Sequence, residues 1–141
     1  MRRLNVISRC QNLFRAKHSQ ALPCPCHHTF LFAVCRAPGR SQEEIARELC
    51  INKSTVARNL NSLEEKGYIT REFLPNDKRQ LAVYPTEKML AVLPEIKRAS
   101  LDWMSLLSEG ISPEELEIFN SVLERMQARA REIIEKQEES K

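Results

Sequence analysis

At 141 residues the chain can hold one well-buried domain, or a small domain with a helical appendage, and is too short for two full enzymatic domains. Apolar content of 42%, charged content of 29% and only three glycines describe a globular protein rich in helix formers. The net charge is a modest +3. Residues 1–35 carry five Lys or Arg and no acid, residues 36–88 ten bases against eight acids, and residues 89–141 seven against eleven, so the acidic final third is a poor phosphate surface.

No apolar run approaches the roughly 18 to 20 residues that span a bilayer, so no membrane span is expected. The Arg-rich start resembles a transit peptide only superficially, because Asn5, Arg9, Gln11, Asn12 and Arg15 break any secretory apolar region. Five cysteines without a regular framework fit a reducing, cytoplasmic location better than a disulfide-stapled secreted fold. Leu4, Ile7, Cys10 and Phe14 predict an amphipathic first helix ending before Leu22. Pro23-Cys24-Pro25-Cys26 stops it, and a strongly apolar second helix follows from about His27 to Arg36, closed by Pro38-Gly39.

Ser41 with Glu44 forms the capping-box pattern and opens a third helix with the stripe Ile45, Ala46 and Leu49. Cys50-Ile51-Asn52 is the turn, Asn52 the N-cap of a fourth helix, and Gly67 its stop. In that fourth helix Val56, Leu60 and Leu63 commit one face to a core, which leaves Ser54, Arg58 and Asn61 on the other. Forked or short hydrogen-bonding side chains of this kind read base edges, with Lys53 and Thr55 in reach of phosphates and Ser41 and Gln42 as further contacts at the start of the third helix. These helices with their tight turn satisfy the helix-turn-helix pattern.

Beyond Gly67 the period turns extended. Residues 68–73 and 81–84 read as paired strands around a polar turn, with Asn76, Asp77, Lys78 and Arg79 as backbone or minor-groove contacts of a wing. Thr86 can cap a long helix with Leu90, Leu93, Ile96, Leu101, Met104 and Leu107 on its apolar face, kinked or restarted near Pro94 and ended by Gly110. Ser112-Pro113-Glu114-Glu115 starts the last helix. Its Leu116, Phe119, Leu123, Met126, Ala130 and Ile133 follow coiled-coil spacing, and Ile118, Val122 and Ile134 form a second flank. A symmetric homodimer through the first and last helices would cover these faces.

SQEEIARELCINKSTVARNLNSLEEKGYITRE, followed by NDKRQLAVYPTEK, resembles the MarR family of winged-helix transcriptional regulators, and the helical frame extends the likeness over about residues 4–138. The resemblance implies a triangular homodimer whose first and last helices interlock, with a winged lobe at each lower corner. It also implies that Asp77 orients or pairs with DNA-side arginines while Arg79 enters the minor groove. Two features depart from the family pattern. The wing strand usually runs into T-x-x-G, whereas Thr86 is followed here by Glu87, Lys88 and Met89, and the first two helices are linked by PCPCHH.

Cys24, Cys26, His27 and His28 are the one dense set of soft metal ligands. A zinc or copper site there competes with cysteines that merely pack at a helix start, and a closed tetrahedral site needs a further ligand. Cys10 and Cys50 are candidate redox sensors, although buried, inert thiols are the plainer reading. His27, His28, Phe30 and Trp103 are candidate walls of an effector pocket, with core packing the competing role for the tryptophan. No phosphate loop, nucleophile elbow or zinc-protease motif is present, so no enzyme is expected.

The sequence is therefore read as mainly α with a small β-hairpin wing. Residues 1–35 are N-terminal frame helices, 36–88 the winged helix-turn-helix DNA-binding lobe, and 89–141 long dimerisation helices. The expected function is a sequence-specific regulator, a ligand- or stress-responsive repressor that binds a pseudo-palindromic site on double-stranded DNA as a homodimer. It would have a small-molecule effector and no cofactor, with zinc as the alternative. The competing functions are a winged-helix protein-interaction module, or a metal- or thiol-sensing form of the same regulator.

Overall fold

A computed structural model describes residues 2–18, 27–74 and 77–139, apart from the side chains of 74, 77–80, 138 and 139. Elements follow in the order α1 (Arg2–His18), α2 (His27–Arg36), β1 (Arg40–Ser41), α3 (Gln42–Leu49), α4 (Lys53–Glu65), β2 (Ile69–Leu74), β3 (Asp77–Pro85), α5 (Glu87–Leu107) and α6 (Pro113–Glu139). The chain divides into two units, Met1–Trp103 and Met104–Lys141.

Side-chain caps fix the helix starts in the first unit. Ser41 accepts the Glu44 amide at 3.3 Å while its own backbone N–H donates to the Glu44 carboxylate at 2.7 Å, which completes the capping box of α3. The Asn52 side-chain oxygen accepts the Thr55 amide at 2.8 Å and starts α4. The end of α4 is a Schellman closure: Gly67, at φ +74°, donates to the Glu64 carbonyl, and Tyr68 donates to the Leu63 carbonyl, each at 2.8 Å. The end of α3 has the same form, with Cys50 N–H to the Arg47 carbonyl at 3.3 Å and Ile51 N–H to the Ala46 carbonyl at 3.1 Å. Cys50 is left-handed there, at φ 52° and ψ 42°, in a position that favours glycine or asparagine.

The core of this unit joins Phe30, Leu31, Ala33 and Val34 of α2 to Ile45 and Ala46 of α3, Val56, Leu60 and Leu63 of α4, Tyr68, Ile69 and Val83 of the wing, and Met89 and Ile96 of α5. It therefore runs across the expected boundaries at 35 and 88. Met89 occupies the position where the wing pattern leads to glycine, and it is fully buried. The helix start is secured instead by Thr86, whose hydroxyl accepts the Met89 amide at 3.3 Å and lies 2.8 Å from the Gly67 carbonyl as donor.

Three expectations are corrected by the backbone. The hairpin strands extend into the polar stretch, to Leu74 and from Asp77, with an irregularity between Phe73 and Leu74, because ladder bonding is indifferent to side-chain polarity. The sheet has a third strand, in the order β1-β3-β2, with Arg40 opposite Val83 and Ser41 opposite Ala82. Helix α5 continues through Pro94 without a restart, and its inner face is Met89, Ile96 and Ala99, while Leu90, Leu101 and Met104 are exposed. The lost donor at Pro94 costs one intrahelical bond at an exposed position, which the buried inner face outweighs.

In the second unit, the Ser112 amide donates to Glu115 at 2.9 Å and the Glu115 amide to the Ser112 hydroxyl at 3.2 Å, so α6 opens with another capping box. Ile118, Phe119, Val122, Met126, Ile133 and Ile134 on α6 are all exposed. No helix of the described residues is long and apolar enough to cross a membrane.

The left-handed thiol-bearing residue gives a direct test of the turn. Cys50→Gly should raise stability by about 0.5–1 kcal/mol, as relief of the left-handed penalty exceeds the glycine entropy cost. Urea unfolding of the variant against the parent chain measures it.

Candidate nucleic-acid interface

The burial of Val56, Leu60 and Leu63, each with no exposed surface, fixes the rotation of α4 about its axis. Lys53, Ser54, Arg58 and Asn61 are consequently exposed, and Thr55 is half-buried. Arg58 makes no ion pair or hydrogen bond among the described residues, so its guanidinium fork is available to a base or phosphate. The Lys53 ammonium lies 2.6 Å from Glu43 and holds that carboxyl below its usual range by hydrogen bond and charge. Both side chains are solvated, so a phosphate can displace this pair at little cost. The Ser54 hydroxyl donates to Asn52 at 2.9 Å, which leaves its lone pairs to accept.

Ser41 departs from its expected role as a contact. It is only 5% exposed, its hydroxyl lies 2.9 Å from Glu44, and it serves both as a cap and as a sheet residue. Gln42 is half-buried in the first turn of α3. In the wing, Asp77, Lys78 and Arg79 belong to β3, with their side chains outside the described set, and Asn76 lies outside the described residues.

One residue of this surface had no place in the sequence reading. Arg71 follows Ile69 by two positions on β2 and so shares its inward face. Its side chain is 15% exposed, Nη2 donates to the Asn61 oxygen at 2.7 Å, and Nε lies 3.6 Å from Glu64. An arginine at an inward strand position was the available signal, since such a charge requires partners.

His27 and His28 begin α2 and are 3% and 1% exposed. Their Nδ1 atoms, like Arg15 Nε, are buried without a hydrogen-bond partner among the described residues. Burial lowers the pKa of both imidazoles; for His28, Arg15 and His27 add to the effect, Glu95 opposes it, and the result is about 4. Phe30 sits in the core, and Trp103 is half-buried with its ring 5.3 Å from Phe14. A cleft of about 600 Å³ opens instead along another face of α2, between Thr29, Phe32, Arg36, Leu49, Leu93 and Lys97. None of the four expected effector-pocket residues lines it.

Cys10 and Cys50 are exposed free thiols and Cys35 is half-buried. Cys24 and Cys26 lie outside the described residues, and no group of three His, Cys, Asp or Glu converges among the described ones.

A helix-turn-helix followed by a hairpin wing defines the winged helix-turn-helix class. A family model described as the MarR family matches residues 24–80. Among solved structures, the transcriptional regulator SlyA is 28% identical, with a TM-score of 0.88 over 95% of this chain and 95% of that one. A MarR transcriptional regulator from Methanosarcina mazei Go1 is 27% identical, with a TM-score of 0.85 over 94% of this chain and 96% of its own. A Listeria monocytogenes protein solved with 26mer DNA shares the fold at 22% identity, with a TM-score of 0.86 over 93% and 88%. Over residues 24–80 the chain matches the MarR family model, and along nearly its whole length it shares the fold of these winged-helix regulators.

The neutral imidazoles carry a pH consequence. Their folded pKa values lie below the unfolded value of about 6.5, so falling pH protonates the unfolded chain first, and stability drops as pH goes from about 6.5 toward 4. The urea midpoint should be lower at pH 5 than at pH 7.5, and His28→Gln should flatten part of that difference.

Proposed function

We propose that the chain is a transcriptional regulator that binds double-stranded DNA sequence-specifically as a homodimer and acts as a ligand-responsive repressor in the cytoplasm, with no catalytic activity. The observation that carries this reading is the rotation of α4. Its apolar stripe is locked in the core while Ser54, Arg58 and Asn61 face solvent beside a hairpin whose tip sequence contains Lys78 and Arg79. A helix of this kind docks in the major groove, and the wing follows the backbone or reaches the minor groove. The structural relative solved with 26mer DNA supports the same assignment.

The uncovered apolar side chains support the dimer. Leu4, Val6, Ile7 and Leu13 of α1 are 37–66% exposed and Ile118 of α6 is 66% exposed, apolar side chains that a second copy would cover. Two copies joined there would present two recognition helices to successive major grooves about one helical turn apart, hence a pseudo-palindromic operator. A small-molecule effector acts in this reading by altering the spacing of the two lobes. Buried polar atoms of Arg15, His27 and His28 that have no partner among the described residues supply a polar environment for it, with Phe14 and Trp103 nearby on the frame helices. Exposure of Cys10 and Cys50 favours a second input, oxidation of a thiol.

Selection of bound sequences from random DNA, followed by retardation assays at several salt concentrations, tests the function. Arg58→Ala should weaken binding by about 1–3 kcal/mol and relax base preference, and Arg79→Ala should weaken it while lowering the salt slope by about 1. Full operator affinity in both variants would instead favour a protein-interaction module. Phe119→Asp should shift the protein to monomer in light scattering and reduce operator affinity; an intact dimer would remove α6 from the interface.

A further inference from the structure

Asn61 projects from the solvent face of α4, yet one end of its amide is already engaged. Arg71 Nη2 lies 2.7 Å from Asn61 Oδ1, and Arg71 is held in place by Glu64, one turn along the same helix, and by its position on β2. The guanidinium has donors only, so chemistry requires the amide to turn its oxygen toward the wing. Its NH2 is thereby directed away from Arg71. Readout of adenine by asparagine needs both ends of the amide: the oxygen accepts adenine N6–H while the NH2 donates to N7. Arg71 occupies one of the two in-plane lone pairs of Oδ1 and fixes the amide plane, so the oxygen is not free to turn toward a base while both NH2 hydrogens stay available to the DNA.

We propose that Arg71 is a specificity-determining positioning residue which, by holding the Asn61 oxygen and fixing the amide plane, biases Asn61 toward donating to guanine N7/O6 or thymine O4 and against the bidentate adenine contact. The inference rests on the DNA-binding reading above. Arg71 acts through Asn61, and the same tie couples β2 of the wing to the recognition helix.

The test compares sequences selected from random DNA by the full-length parent chain and by Asn61→Asp, Asn61→Ala, Arg71→Leu and Arg71→Lys. The parent should select guanine or thymine at one position per half-site, and Asn61→Asp, which keeps an acceptor for Arg71 but has no NH2, should lose that preference by about three- to tenfold. Arg71→Leu should shift the same position toward adenine with other positions and the salt slope unchanged, and Arg71→Lys, which retains a donor, should restore the parental choice. Adenine selected by the parent at the position lost in Asn61→Ala overturns the proposal. So does an Arg71→Leu protein that keeps the parental preference while its affinity falls evenly with a shallower salt slope, as for a phosphate contact. Should Arg71→Leu fail to fold, the Asn61→Asp arm decides alone, since retention of the guanine or thymine preference there also overturns it. A parent chain that selects no sequence at all refutes the DNA-binding reading itself, a result distinct from a selected site with the wrong base.

Discussion

The rotational setting of one helix governs the surface of this protein. Val56, Leu60 and Leu63 are completely buried, and burying each of these side chains is worth about 1.5–3 kcal/mol. Turning α4 by even a third of a revolution would bring these residues toward water and Arg58 toward the core, a loss comparable with the whole stability of a small domain. The polar face is thus held by the apolar one. Asn52 and Gly67 fix where the helix begins and ends, so both the rotation and the axial position of the exposed side chains are set before any ligand arrives.

Polar ties then join this helix and its neighbours. Glu48 on α3 pairs with both Arg36 at the end of α2 and Arg40 at the start of β1, so three successive elements share one carboxylate. Lys88 donates to the Lys66 carbonyl at 2.7 Å and lies 4.5 Å from the centre of the Tyr68 ring, which places a cation at the C-terminus of α4, where the helix dipole favours one. Thr86 joins the Gly67 turn to the start of α5. Through Lys88 and Thr86 the start of α5 is tied to carbonyls at the end of α4, groups with no partner inside that helix.

The features legible in the sequence were those with local causes. Ser41 with Glu44, Asn52, Gly67, and Ser112 with Glu115 each act over three or four residues, and each sits where its spacing implied. The solvent-facing side of α4 was legible as the complement of its apolar stripe. What could not be read depends on partners remote in sequence. Strand β1 is two residues long and exists only through pairing with Ala82 and Val83, some forty positions later. On α5, Ile96 is buried and Leu93 packs against the core as the stripe implied, but several apolar stripes coexist on that helix, and the core takes Met89 while Leu90 and Leu101 stay exposed. Arg71 was missed because its meaning lies in Asn61 and Glu64, on another element.

Ser41 belongs at once to two structures, as the cap of α3 and as a rung of the sheet opposite Ala82 on the central strand. The wing therefore has no tether of its own: its central strand is bonded on one side to its hairpin partner and on the other to the first residue of the helix-turn-helix. With no flexible linker between them, hairpin and α4 move as one piece. In the DNA-binding role proposed above, docking of either would bring the other to its groove without a further search and with little additional loss of orientational freedom.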